Sequence, residues 1–408
     1  MRFLHTSDWH LGQRFLFNHR EEEHVRALNW LREVIREEAV DALLVAGDIF
    51  DIGNPPNYAR RMYYRFLTGL IGSRCRHIII TGGNHDSPAM LDAPRELLQA
   101  LNVHVIGAIS EELERELVEL RNPEGELEAV VAAVPFLRDR DLRPGGADIS
   151  GMERVKRIQE GIRRHYEELA EKMAPYQKRD VPIMATGHLY ATGATASAIQ
   201  NNIYIGNLEN IEPGAFPECF DYVALGHIHR PQIVGKVPRV RYSGSLIPLS
   251  FSETKDDKGV WLVDFARGRL EEARFLAAPV FRRLKTIQGT FEEVKDKLLR
   301  FHQKGGRDLT PWVEVIVQTD RIIPQLDVQL RDYVREAELD LELLKIRVER
   351  PRTEEPETSW DQDLHELEVE EVFRKKCERF DQPPDEMEAL LQTFRELREW
   401  VQENEERA

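Results

Sequence analysis

The chain has 408 residues, 41% of them apolar and 31% charged, which is the balance of a soluble globular protein too long for one core, so two or three domains are expected. Three cysteines, Cys75, Cys219 and Cys377, lie far apart with no CxxC, which excludes a disulfide scaffold or a zinc knuckle. The net charge of −16 argues against broad electrostatic attraction to nucleic acid, although bound divalent ions, local arginine clusters or a partner protein would each offset it.

In chain order, residues 2–7 predict an apolar strand that ends at Asp8. Residues 21–38 have helical spacing, with Val25, Leu28, Leu31, Val34 and Ile35 on one side. Ala42 to Ala46 predicts a strand stopping at Gly47-Asp48, 58–71 a second helix, and His77 to Thr81 a β-branched strand stopping at Gly82-Gly83. This alternation is a βαβ pattern, and its polar clusters fall just past strand C-termini, where open α/β sheets place their sites.

Val103 to Ile106 and Ala129 to Val134 predict further strands, and 152–174 a long helix. Val181 to Thr186 predicts a strand ending at Gly187-His188, and Tyr222 to Leu225 one ending at Gly226-His227. Residues 240–250 follow as strand and turn, and 259–265 with 270–276 as a hairpin, closing the first domain near 280. Strands at 282–286, 312–318 and 343–348, with helices at 291–302 and 325–336, make a small α+β unit over 281–350 without any catalytic cluster.

Residues 351–363 form a linker, and two amphipathic helices follow within 364–408, at 364–380 and 384–403. In the second helix, Met387, Leu390, Leu391, Phe394 and Leu397 form an apolar stripe that needs cover, from this chain or from a partner. The opening residues lack the long apolar run of a signal peptide and no stretch reaches the length of a membrane span, so a cytoplasmic location without membrane attachment is expected.

Five polar clusters carry the chemistry: Asp8-x-His10, Gly47-Asp48, Gly83-Asn84-His85-Asp86, Gly187-His188 and Gly226-His227-x-His229. Asp8 and His10 are two apart after a strand, so both could face one way. Their mixed oxygen and nitrogen donors suit Mn, Fe or Zn better than Mg or Ca. Asp48 could cap the next helix, or share its two carboxylate oxygens between two ions. Asn84 offers an amide oxygen, and His85 could serve as a proton donor or phosphate contact. Asp86 could orient His85 or hold the loop. His188, His227 and His229 add three imidazoles at strand ends, where satisfied core histidines are the plainer reading of each alone. Taken as one ordered set, the clusters point to a two-metal centre able to clamp a phosphodiester and activate water.

At these residues the chain resembles the calcineurin-like metallophosphoesterases, whose motif set D-x-H, G-D, G-N-H-D/E, H and G-H-x-H it carries complete. It is more closely similar to the bacterial nuclease subunits related to archaeal and eukaryotic break-repair nucleases. That closer likeness rests on His5-Thr-Ser-Asp-Trp-His-Leu-Gly12, Val45-Ala-Gly-Asp-Ile-Phe-Asp51, Ala185-Thr-Gly-His-Leu189, Ala224-Leu-Gly-His-Ile-His-Arg230 and Ser243-Gly-Ser-Leu-Ile-Pro-Leu-Ser250.

The resemblance implies a layered α/β sandwich, 1–280, with a small DNA-capping domain at 281–350 and C-terminal helices. It implies that Asp8, His10 and His229 hold one metal, that Asn84, His188 and His227 hold the other, and that Asp48 bridges them. His85 would be the catalytic histidine outside the ligand set. Some distant relatives carry a histidine just beyond Gly-Asp, where this chain has Asp51. The resemblance further implies two divalent ions, Mn2+ first with Mg2+, Fe2+ and Zn2+ as alternatives. The implied activity is 3′-to-5′ exonuclease action on duplex ends and endonuclease action on single strands and hairpins. The implied assembly is a homodimer paired with an SbcC-type coiled-coil ATPase, nucleoid-associated when bound to DNA. The same dimetal site would also serve a phosphatase or phosphodiesterase acting on small molecules or proteins.

Overall fold

Strands that are apolar on both faces need cover on both faces. In the computed structural model that cover comes from two sheets packed face to face with helices outside. The structure describes residues 1–110, 112–142, 151–195, 210–303, 309–321, 323–350, 373 and 390–395. The chain divides into two units, 1–350 and 351–408.

The main elements begin with β1 (Arg2–Thr6), α1 (Glu21–Glu37), β2 (Ala42–Ala46), α2 (Asn57–Thr68), β3 (His77–Thr81) and β4 (Val103–Ile106). Next come β5 (Leu117–Arg121), β6 (Leu127–Ala132), α3 (Gly151–Met173), β7 (Ile183–His188) and β8 (Tyr222–Gly226). The domain is completed by β9 (Gln232–Val234), β10 (Val237–Tyr242), β11 (Gly259–Ala266) and β12 (Arg269–Ala277).

The first sheet runs β12-β11-β1-β2-β3-β4 and the second β9-β10-β8-β7-β6-β5. In the first, β1 to β4 are parallel, and the β11–β12 hairpin adds antiparallel to β1. In the second, β6, β7, β8 and β10 are parallel, with antiparallel strands at both edges.

Alternate residues of each strand serve different layers, as the period of two requires. Leu4, Leu43, Val45, Ile78 and Ile80 face α1 and α2, meeting Leu28, Leu31, Ile35, Met62 and Phe66. Their neighbours Phe3, Ala42, Leu44 and Ile79 face the second sheet, meeting Leu120, Val131, Met184 and Ala224. The far face of the second sheet packs Val130, Ala185 and Leu225 on Ile158, Ile162, Tyr166 and Leu169 of α3. The layering is therefore helix, sheet, sheet, helix.

One sequence reading of α1 needs correction. Val25 is exposed, and the buried stripe is Glu23, His24, Ala27, Leu28, Leu31, Val34 and Ile35. At about 100° per residue, position 25 is rotated roughly a quarter of a turn from the centre set by 24, 28, 31 and 35. Its apolar character alone was misleading. The sequence reading also passed over β5 and β9, the edge strands that widen the second sheet.

The small domain follows as β13 (Leu284–Gly289), α4 (Phe291–Gln303), β14 (Trp312–Gln318), α5 (Leu326–Glu336) and β15 (Glu342–Glu349). Its three strands are all parallel, each crossover carrying a helix. Val313, Val315 and Val317 bury against Val294, Leu298, Leu326 and Leu330. The domain touches the sandwich through Trp312, which stacks on Phe15 at 5.6 Å between centroids. Arg282 lies 4.0 Å over the Trp312 ring and 3.0 Å from the buried Glu23 carboxylate.

In the second unit Phe373 and Phe394 stack with centroids 4.2 Å apart, Leu391 is buried and Leu390 is more open. The rest of the expected linker and tail helices lies outside the described residues. Among the described residues no helix is long and apolar enough to cross a membrane.

Phe3 is fully buried between the sheets, edge-on to Phe265 at 5.6 Å. Phe3→Ala is expected to cost about 3–5 kcal/mol, read as a lower denaturant midpoint of the sandwich domain.

Candidate metal centre

Both sheets point the C-terminal ends of their parallel strands to one seam. Asp8 and His10 follow β1, Asp48 follows β2, Asn84 and His85 follow β3, His188 ends β7, and His227 and His229 follow β8. The loop after β1 runs beside the loop after β2 through Asp8 N–H to Gly47 O and His10 N–H to Asp48 O, each 3.0 Å. Trp9, between Asp8 and His10, is buried and donates its indole N–H to Thr6 Oγ1 at 3.0 Å.

The backbone there is strained. Asp8, His10, Asp48 and His227 have φ of 51°, 45°, 50° and 100°. Non-glycine residues in the left-handed region cost about 1–3 kcal/mol each and cluster at functional sites. Two glycines permit the closeness. A Cβ on Gly83 would collide with the Asp48 carboxylate, and one on Gly226 with the Ala46 carbonyl across the seam.

Asp48 stands at the centre. Its Oδ2 lies 3.4 Å from His10 Nε2 and 3.2 Å from His188 Nε2, while its Oδ1 accepts the His85 N–H at 2.9 Å. It caps no helix, and Pro56 occupies the cap position of α2. On one side, donor atoms of Asp8, His10 and His229 gather within 4.8 Å of one another. On the other, Asn84 Oδ1 lies 3.0 Å from both His188 Nε2 and His227 Nδ1. Asp8, Asp48 and His188 form a further group that joins the two sides. All eight residues singled out in the sequence thus meet at one place.

The surrounding hydrogen bonds aim each imidazole. His188 Nδ1 donates to Ala46 O at 2.9 Å, so that in the neutral ring Nε2 is the nitrogen with the lone pair. His10 Nδ1 donates to Asp51 Oδ1 at 3.0 Å, and its buried Nε2 has no hydrogen-bond partner. A buried, unpartnered nitrogen aimed at carboxylates is what a cation ligand requires. His85 Nδ1 donates to Asp51 O at 2.8 Å, so its Nε2 is the nitrogen turned outward. The group His10, Asp51 and His85 is also close enough to hold an ion, but Asp51 already engages Nδ1 of both rings.

Asp86 settles one of the two readings the sequence left open. Its carboxylate accepts N–H from Ile49 at 3.1 Å, Phe50 at 2.9 Å and Gly83 at 2.9 Å, so it ties the two loops together, while the His85 Nδ1 proton goes to Asp51 O. Burial and the Asp48 charge push its pKa up to about 6, against those three N–H groups.

Two residues not singled out from the sequence complete the site. Glu253 Oε1 accepts from His229 Nδ1 at 3.1 Å, and Glu253 Oε2 pairs with the Lys258 ammonium at 2.7 Å. Lys258 also donates to His229 O at 2.7 Å and Ser245 Oγ at 2.9 Å. Burial would raise the Glu253 pKa, but the Lys258 charge and the His229 hydrogen bond hold it well below the usual carboxylate range. Nothing in the local text Ser250-Phe-Ser-Glu253 marks this acid; only its pairing with a buried lysine does.

Burial depresses the His10 and His188 imidazoles, yet the neighbouring carboxylates overcome it and raise both to about 9, Asp51 and Asp48 acting on His10 and Asp48 on His188. Burial and then the His188 charge push His227 well below its ordinary value. Burial also works against Asp48 ionising, but the His188 and His10 charges hold its pKa far down. The chain has built a compact, negatively charged oxygen cluster ringed by imidazoles, a donor set that suits a pair of borderline divalent ions.

This site and fold define a class: residues 1–231 match the calcineurin-like phosphoesterase family, and the chain belongs to it. Residues 280–380 match a second family model, described as the Type 5 capsule protein repressor C-terminal domain. The chain is 38% identical over 378 residues to the SbcD subunit of the SbcCD nuclease of Escherichia coli K12, covering 92% of both proteins. It is 38% identical over 386 residues to the same subunit of Rhodobacter capsulatus, covering 91% of this chain and 93% of that one. Against the Bacillus subtilis counterpart it is 29% identical over 415 residues, covering 99% and 100%. Within the phosphoesterases the chain belongs to the SbcD family.

Two outcomes follow. Because His10 and His188 hold protons up to about 9 in the free site, and a metal needs neutral imidazole, Mn2+ affinity should rise steadily from pH 6 toward 9. Titration calorimetry in buffers of different ionisation enthalpy should register the released protons. Asp51→Ala should weaken Mn2+ binding about 10–100-fold by freeing the His10 ring, with the melting temperature of the metal-free protein little changed.

Proposed function

We propose that this protein is a metal-dependent DNA nuclease, the nuclease component of an SbcCD-type complex. One observation carries the reading: the Asp48 carboxylate lies within 3.4 Å of a ring nitrogen of His10 and within 3.2 Å of one of His188, midway between two donor groups. Asp8, His10 and His229 would hold one divalent ion, Asn84, His188 and His227 the other, and Asp48 would serve both. Manganese is the first choice for both. When bound, such a pair supplies Lewis acidity and an activated water for in-line attack on a phosphodiester.

The chain's own residues do the rest. Asp51 and Glu253 fix the His10 and His229 rings through their Nδ1 protons. Phe136 lies flat to the His227 ring at 6.5 Å and edge-on to His188 at 6.2 Å, which walls that side of the centre with an apolar ring. His85 is solvent-exposed, its Nδ1 proton held by Asp51 O and its backbone N–H by Asp48. That leaves Nε2 to donate a proton to the leaving oxygen or to steady charge on the phosphate.

The 281–350 domain caps the DNA path, and residues 364–408 dock a coiled-coil ATPase of the SbcC type. The active form is a homodimer within that complex, cutting duplex ends in the 3′-to-5′ direction and opening hairpins. The relatives' name as components of the SbcCD nuclease and their coverage of nearly the whole chain support this reading over a small-molecule phosphatase.

End-labelled hairpin and linear duplex DNA, incubated with the protein in Mn2+ or Mg2+, provide the test. Cleavage of DNA far above turnover of a nucleotide monoester is expected, and the reverse preference would favour the phosphatase. His85→Ala should abolish cleavage while keeping bound metal, whereas Asp48→Ala should lose both, as metal analysis beside the cleavage assay will show. Removing 364–408 should prevent co-purification with the ATPase and leave the metal content intact.

A further inference from the structure

Four residues past His10, the chain begins a two-stranded hairpin that the mechanism above does not use. Arg14 pairs with His19 and Phe15 with Asn18, which leaves Leu16 and Phe17 as the two-residue loop. Both loop residues have positive φ, 47° and 74°. Tight hairpins of that kind are made most cheaply by Asn-Gly, because a bulky side chain is sterically disfavoured at positive φ. Here the positions hold leucine and phenylalanine. Phe17 is 90% exposed, more than any other large apolar residue described.

The hairpin's base is held firmly. Phe15 is buried between Phe251, at 5.0 Å, and Trp312 of the small domain, at 5.6 Å, with the Arg20 guanidinium 5.1 Å over its ring. His19 meets the Tyr58 hydroxyl at 3.4 Å, and that hydroxyl donates to Gly12 O at 3.2 Å. Asn18 donates its side-chain amide to Leu16 O at 3.3 Å. A strained tip on an anchored base, carrying a ring in water, is a costly arrangement with no role in the core.

Its surroundings say what the ring meets. Chain geometry keeps Phe17 within about 25 Å of His10, seven residues at full extension, which is about seven base steps of a DNA strand at 3.4 Å each. The Arg14 guanidinium, exposed in the same hairpin, makes no hydrogen bond or ion pair among the described residues and is free to meet a phosphate. The tip offers one fully presented ring and part of one leucine rather than a broad patch, since Phe15 is buried and Leu16 is 39% exposed against 90% for Phe17. A protein interface needs about 800 Å² on each side, whereas a single ring matches the face of one base.

We propose that Phe17 is a stacking platform for a terminal or unpaired base of the DNA substrate, holding a frayed end, a hairpin loop or a single strand near the metal centre. This rests on the nuclease reading and adds to it a residue that selects unpaired structure.

The test uses the full-length protein and DNA carrying 2-aminopurine at the terminal position. Wild-type protein should quench the label on binding, and Phe17→Ala should lose the quench and cleave hairpins and duplex ends about tenfold more slowly, the size of one lost base stack. Phe17→Trp should restore both. Bound metal and melting temperature of Phe17→Ala at wild-type values will show that the fold is intact. The double change Leu16→Asn with Phe17→Gly should raise the melting temperature while impairing DNA cleavage, since it relieves the turn and removes the ring. Phe17→Ala that quenches and cleaves like wild type overturns the proposal. Normal cleavage by Phe17→Ala with lost capture of the coiled-coil ATPase also overturns it, making the ring a protein contact. If wild-type protein hydrolyses a small phosphodiester but no DNA at all, the nuclease reading itself falls, and the two failures are told apart.

Discussion

The structure turns on one buried carboxylate held in the seam of two sheets. Asp48 sits at positive φ, nearly inaccessible, with a ring nitrogen from the first sheet on one side and one from the second sheet on the other. A buried anion is costly unless it is compensated, and here the compensation comes from both sheets at once. Sheet packing, loop strain and imidazole tautomers all serve that meeting. The inter-sheet layer of Phe3, Leu44, Met184 and Ala224 sets how closely the two rows of strand ends approach, and the collision a side chain at Gly226 would cause with Ala46 shows that they approach to backbone contact.

Around this centre the protein spends buried polar groups on orientation. Asp51, Asp86 and Glu253 have distinct jobs: Asp51 fixes the His10 ring and, through its carbonyl, the His85 ring; Asp86 fixes two loop backbones; Glu253 fixes the His229 ring. Each acts on one ring nitrogen or on backbone N–H groups, so the free nitrogens can point at a common place. Lys258 neutralises Glu253 and reaches the His229 carbonyl, which connects this support to the edge of the hairpin that leads into the small domain. The contact of Trp312, Arg282 and Glu23 lies at that same junction and joins the small domain to the first helix.

Much of this was legible in the amino-acid order. Strands β2, β3 and β14 fall at the predicted residues: β2 and β3 are short apolar runs closed by glycine, and β14 repeats valine at 313, 315 and 317, patterns with few other solutions. The eight site residues were legible for a different reason: each sits at or within a few residues past the end of an apolar run, where polar side chains in glycine-marked clusters are out of place unless they have a task. Val25 was misread because an apolar residue on the shoulder of a helix is not thereby buried. Edge strands β5 and β9 were missed because half-exposed strands carry a weaker alternation. Glu253 and Lys258 were invisible, since a buried ion pair five residues apart in a loop looks like ordinary surface charge until its surroundings are known.

By itself the sequence determined which residues end the strands, the order of strand and helix, and the donor types available to a metal pair, because these depend on local periodicity and residue chemistry. Tertiary structure alone decided that the strand ends belong to two sheets facing each other, that Asp48 lies between His10 and His188, that Asp86 binds loops rather than the His85 ring, and that Glu253 steers His229. Those are contacts between segments up to about two hundred residues apart, such as the His227 N–H on the Asp8 carboxylate. No local pattern encodes such a pairing; it follows only when burial of both sheet faces brings the segments together.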